Sequence, residues 1–185
     1  MMMKLISKVY FCLSGWTAAG GLPPEVKKCV MIAAPHTSNF DFSLARAGCY
    51  LLNIKLRYLI KKDWMLFPLG AFFRSTGAIA VERSKTSNMV DKLIELLNKS
   101  DELVLMISPE GTRKTTRKWK TGFYYAALGA NVPIVLAYLD YKEKIACIGP
   151  VIYPTGDYIK DMEPVKEFYK NITPKYPANY SLEIT

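Results

Sequence analysis

The sequence is poor in the residues on which many site chemistries depend. It has one histidine, His36, in 185 residues, and its four cysteines (Cys12, Cys29, Cys49, Cys147) are scattered, with no Cys-x-x-Cys pair. That spacing argues against a structural zinc site and against a disulfide framework, and reads as reduced, mostly buried thiols in a cytosolic setting. Acidic residues are also short: 16 against 25 Lys and Arg, a net charge of +9. Such a balance calls for a negatively charged partner. The chain shows no RNP motif, zinc-finger spacing or helix-turn-helix pattern, so nucleic acid is set aside. No uninterrupted apolar run approaches the ~20 residues of a spanning helix. Neither a G-x4-G-K-[ST] phosphate loop nor a G-x-S-x-G nucleophile elbow occurs.

Core-forming residues are plentiful. Half of the residues are hydrophobic, which excludes a disordered chain, and the length suits one domain over residues 1–185. The apolar run Val30–Ala34 reads as a buried strand, and Phe42, Leu44, Ala45, Ala47, Gly48, Leu51 and Leu52 recur at a helical period. Between them lies Pro35-His36-Thr37-Ser38-Asn39-Phe40-Asp41. On one continuous helix, residues five apart diverge by roughly 140° and cannot touch. With His36 in the loop and Ser38 or Asn39 as N-cap, the Asp41 carboxylate folds back to the imidazole. The positive helix end keeps it ionised. An ionised carboxylate on one ring nitrogen leaves the other free to accept a proton. The alternative is a structural histidine that hydrogen-bonds at a helix start.

The rest of the chain alternates strand and helix. Residues 1–16 place Leu5, Ile6, Val9, Tyr10, Leu13 and Trp16 on one helical face, read either as an amphipathic membrane-surface helix (within 1–20) with Trp16 at the interface, or as a helix packed on the core. Residues 55–61 form a strand, and 63–73 are too apolar for an ordinary loop, suiting either an acyl-chain or lipid contact or a short core helix. Residues 77–83 form a strand ending in Glu82 and Arg83, 87–99 a cover helix, and 103–107 a buried strand running into Ser108-Pro109-Glu110-Gly111-Thr112-Arg113. Residues 112–122 carry five basic residues and no acid. A short helix over 123–129, a strand over 132–139, an edge strand over 144–152 broken at Gly149-Pro150, and a helix over 157–170 restarting at Pro164 complete the pattern. The fold class is α/β, a mostly parallel central sheet with helices on both faces. Ligands of such sheets sit at the carboxyl ends of the strands, where His36, Arg83 and 110–113 all fall.

Four blocks in register resemble the glycerolipid acyltransferase family: His36 to Asp41 (H-x4-D), Gly77 to Arg83, Ser108 to Arg113, and Val132-Pro133-Ile134-Val135-Leu136. Pro35, Ala80, Ser108 and Leu136 depart from that pattern without removing an ionisable group. The resemblance implies fatty acyl transfer from acyl-CoA or acyl carrier protein to the free hydroxyl of a lysophospholipid such as 1-acyl-glycerol-3-phosphate. It implies His36 as base and Asp41 as its orienting carboxylate, with Arg83, Glu110, Gly111, Thr112, Arg113 and Lys120 binding substrate. Backbone N–H groups near Gly111 are the candidate oxyanion donors. No metal or bound cofactor is called for. The partners implied are the donor, the lysolipid and the inner face of the cell membrane, with the protein peripheral and cytoplasmic. An acylated amino acid as acceptor, a thioesterase or hydrolase, and a non-catalytic anionic-lipid-binding domain remain the alternatives.

Overall fold

The computed structural model describes residues 2–66, 68, 70–81 and 89–183. Helix α1 (Met2–Ser14) leads into strand β1 (Thr17–Gly20), and β2 (Lys28–Ala33) is followed by α2 (Phe40–Leu51) and β3 (Leu56–Lys61). Then come α3 (Gly70–Ser75), β4 (Ala78–Val81), α4 (Met89–Lys99), β5 (Leu103–Ile107), α5 (Gly122–Gly129), β6 (Ile134–Asp140), β7 (Ile145–Ile152) and α6 (Tyr158–Tyr169). Among the described residues the strands form one seven-stranded sheet in the order β1-β7-β6-β2-β5-β3-β4. β2, β3, β4, β5 and β6 run parallel, while β7 is antiparallel to β6 and carries β1 parallel to itself. The α/β, mostly parallel architecture expected from the sequence is what the chain adopts.

The central strands are buried on both faces, as a parallel sheet covered by helices requires. Successive residues of β2 serve opposite cores because strand side chains alternate. Val30 and Ile32 pack with Leu97 of α4, Phe123 of α5 and Met162 of α6, whereas Cys29 and Met31 pack with Cys49 of α2. Gly48 lets α2 lie close on the sheet: a Cβ there would stand 3.1 Å from the Ala146 Cβ.

Several boundaries differ from the sequence reading. β7 is interior, because Thr17–Gly20, in which the sequence suggested no strand, pairs with Ile145–Ile148. Gly149-Pro150 does not end β7. It coincides with the register shift opposite Val135/Ala137, beyond the reach of β1, where Pro150 needs no donor. α6 starts at its Asp157 cap, whose side chain accepts the Lys160 N–H at 3.2 Å, and Pro164 lies inside it. Residues 62–65 form a 3-10 turn and 70–75 a short helix, leaving Trp64, Leu66 and Phe72 exposed.

α1 packs on the core and also exposes apolar surface. Ser7 and Phe11 turn inward, while Leu5, Ile6, Val9 and Leu13 face outward, Leu13 at 84% exposure. Trp16, placed at a membrane interface by one of the two readings of this helix, is buried among Phe11, Leu44, Leu139 and Ala146. Among the described residues, no helix is long and apolar enough to cross a membrane.

Candidate active site

The loops after β2, β5 and β6 leave the same sheet edge, because these strands are parallel neighbours. The first loop, 34–39, delivers His36, and Asp41 follows in the first turn of α2. The predicted fold-back is present: His36 Nδ1 stands 3.0 Å from Asp41 Oδ2. The same oxygen accepts the N–H groups of Thr37 (2.9 Å) and Ser38 (2.8 Å), and Asp41 Oδ1 accepts the Tyr141 hydroxyl at 2.6 Å. Burial alone would raise the Asp41 pKa. Hydrogen bonds from His36, Tyr141 and Ser38, with the charge of His36, outweigh it and hold the carboxyl below its usual value. The ionised carboxylate places the proton on Nδ1, so Nε2 keeps its lone pair. The cap falls at one of the two expected positions. Asn39 occupies the cap without a side-chain cap bond, because its Oδ1 accepts from Arg113 Nη1, while the Ser38 Oγ accepts the Phe40 N–H at 3.1 Å.

Glu110 departs from its expected role. It is 4% exposed, and its carboxylate accepts the His36 backbone N–H at 2.9 and 3.2 Å and the Ser108 hydroxyl at 3.1 Å. It fixes the loop carrying His36, where the sequence reading had it binding substrate. Burial lifts its pKa to about 8; the bonds from His36 and Ser108 pull against that lift, and the Asp41 charge adds to it. The Gly111 N–H, a candidate oxyanion donor, is already engaged by the Ser108 carbonyl at 3.2 Å. Gly111 serves instead as a passage. Its φ is +65°, and a Cβ there would sit 2.7 Å from Lys120 Cε, so the lysine side chain lies across it.

A cavity of about 940 Å³ opens at this edge. His36, Asp41, Gly111, Thr112, Arg113 and Lys120 line it, as do the apolar walls of α2, β6 and β7 through Ala45, Gly48, Leu52, Ala137 and Ala146. Of the eight residues singled out from the sequence, the cavity thus gathers six. Glu110 sits behind His36, and Arg83 lies outside the described residues. Thr112 also accepts the Lys114 N–H through its hydroxyl at 3.2 Å. Sequence reasoning missed Tyr141, whose only signal was its place just after a buried strand. Burial and the neighbouring Asp41 push its hydroxyl well above the usual range, so it remains a donor.

The His36–Asp41 pair and the cationic side chains of Arg113 and Lys120 thus share one cavity at the carboxyl edge of a mostly parallel α/β sheet. A family model described as Acyltransferase matches residues 22–139, and the chain belongs to that family. It is 31% identical over 107 residues to a 1-acyl-sn-glycerol-3-phosphate acyltransferase of Haemophilus influenzae, covering 54% of this chain and 43% of the relative. To the protein of the same name from Escherichia coli it is 28% identical over 108 residues, covering 55% and 43%. The matches thus span less than half the length of these relatives. Among solved structures, it resembles the 1-acyl-sn-glycerophosphate (LPA) acyltransferase PlsC of Thermotoga maritima, with a TM-score of 0.63 at 16% identity, over 94% of this chain and 80% of that one. At that identity the likeness speaks for the fold.

Proposed function

We propose that residues 1–185 act as one acyltransferase domain, moving a fatty acyl group from a thioester, acyl-CoA or acyl carrier protein, to the free hydroxyl of a lysophospholipid such as 1-acyl-glycerol-3-phosphate. The observation that carries this reading is the His36 Nδ1–Asp41 Oδ2 contact of 3.0 Å, set in a cavity that also holds Arg113 and Lys120. The names of the relatives supply the acceptor class. In the reaction, His36 Nε2 removes the acceptor proton as its oxygen attacks the thioester carbonyl. The tetrahedral intermediate collapses with cleavage of the carbon–sulfur bond, and the imidazolium returns the proton to the departing thiolate. Asp41 holds the ring and stabilises its cationic form. A positioned base of this kind contributes ~10²–10⁴ in rate.

Arg113 and Lys120, with Arg83, bind the acceptor phosphate, for which the planar guanidinium fork is suited. The apolar cavity walls receive the acyl chain. The outward face of α1, with Phe40, Trp64, Leu66 and Phe72, rests in the surface of the inner leaflet, to which the net charge of +9 draws the protein.

The test is mass spectrometry of products after incubation with acyl-CoA and acyl carrier protein donors across lysophospholipids and acylated amino acids. A new diacyl phospholipid establishes the reading. Free fatty acid alone makes the protein a hydrolase, an acylated amino-acid product changes the acceptor, and no product with any donor refutes catalysis.

A further inference from the structure

Of the donors to the Asp41 carboxylate, three come from the 36–38 loop itself and all converge on Oδ2. Among the described residues, Oδ1 is held by one group, the Tyr141 hydroxyl at 2.6 Å, which arrives from beyond β6. The loop alone would leave the carboxylate free to swing about Oδ2, and Tyr141 stops that rotation. The phenol is itself clamped. Its ring meets Trp16 edge-on, with centroids 5.0 Å apart and planes at 85°, and Trp16 leans on Phe11 of α1 at 6.4 Å. Its backbone N–H donates to the Thr173 carbonyl at 2.8 Å. A continuous line of contacts thus runs from the surface helix α1 through Phe11, Trp16 and Tyr141 to Asp41 and His36.

We propose that Tyr141 is a positioning residue. Through its hydroxyl it fixes the plane of the Asp41 carboxylate and limits the charge offered to His36, and through Trp16 it ties that setting to the seating of α1. The kinetic arm of this inference rests on the acyltransferase reading; the spectroscopic arm does not. A carboxylate that shares its charge with a phenol is a weaker partner for an imidazolium. Removing the hydroxyl returns that charge to His36, which then holds its proton more tightly. Among the described residues, the other titratable groups facing this cluster are Glu110 from the β5 loop, Tyr10 from α1 and Tyr176 from the C-terminal segment.

Tyr141→Phe keeps the ring and removes the hydroxyl. His36 is the only histidine, so its imidazole C–H resonances are unambiguous in an NMR titration. The expected result is a midpoint moved upward by roughly half to one pH unit, with kcat down about tenfold and the KM of donor and acceptor within twofold. The acid limb of the kcat profile should move upward with the midpoint. Trp16→Leu should move both readouts the same way, and the double variant should be no worse than Tyr141→Phe alone. An unmoved midpoint overturns the positioning role, including when kcat falls together with the melting temperature, which marks a purely structural residue. Additive effects in the double variant overturn the link to α1. A protein that turns over no substrate while the midpoint still moves upholds Tyr141 and counts against the acyltransferase reading alone.

Discussion

Both carboxylate oxygens of Glu110 face the backbone N–H of His36, at 2.9 and 3.2 Å, so the acid of the Pro-Glu-Gly block anchors the loop that carries His36. Its folded pKa of about 8, against an ordinary 4.5, means that folding favours the neutral form. The stability this contributes is complete below pH 4.5 and is lost as pH rises through 8. Glu110→Gln removes the titration and keeps an acceptor. The stability of the wild type relative to this variant should therefore fall between pH 4.5 and 8, by at most about 1.4 kcal/mol per pH unit, as read by denaturant melts. A flat difference curve would show that Glu110 is ionised throughout. Glu110→Ala, which strands a buried N–H, should cost about 1–3 kcal/mol.

His36 and Asp41 should separate chemistry from folding. The imidazole is 27% exposed, so His36→Ala leaves the core intact and should lower kcat by ~10²–10⁴ with a melting temperature within a few degrees of the wild type. Asp41→Asn can present its amide oxygen to Thr37 and Ser38 and its NH₂ to Tyr141, so it too should fold while losing a similar factor. Retained turnover in either variant would remove the dyad from the mechanism.

Gly111→Ala tests the cationic rim. The new methyl meets the Lys120 side chain and sits on a backbone with φ of +65°, at about 1–2 kcal/mol of strain. Displacing Lys120 should raise the KM for a phosphorylated acceptor several-fold with kcat little changed. Arg113→Ala should act in the same direction. Steady-state kinetics at two ionic strengths distinguish the effect from lost folding, and an unchanged KM in both variants would place the phosphate elsewhere.

The outward side chains of α1 should act on membrane binding alone. Leu5, Val9 and Leu13 replaced together by Gln lose roughly 1 kcal/mol each on insertion, about a hundredfold in vesicle partitioning. Co-sedimentation with anionic vesicles measures this, while turnover on a soluble short-chain lysolipid should hold. Undiminished partitioning would move the lipid contact to another surface.

The buried runs around β2, β5 and β6 were legible in the sequence because apolar composition and length identify a parallel core strand. The His36–Asp41 contact was legible for the same reason: a strand, a short loop and a helix start leave few ways to place two side chains. The anchoring of the His36 loop by Glu110 was not legible, because a charge beside a basic run resembles a ligand-binding group and burial is a tertiary fact. Tyr141 was invisible: a hundred residues separate it from its partner, and nothing local marks it. Trp16 stayed open between an interface and the core because a helix period cannot say that the chain turns into β1 and carries the indole inward. β1 itself is four residues of modest propensity, made a strand by β7.

That last pairing orders events during synthesis. Thr17 has its sheet neighbour in Ile145, and at about 5–20 translated residues per second the two emerge roughly ten seconds apart. Until β7 appears, β1 has no strand to pair with, so the α1–β1 unit is seated only once the last strand of the sheet has been made.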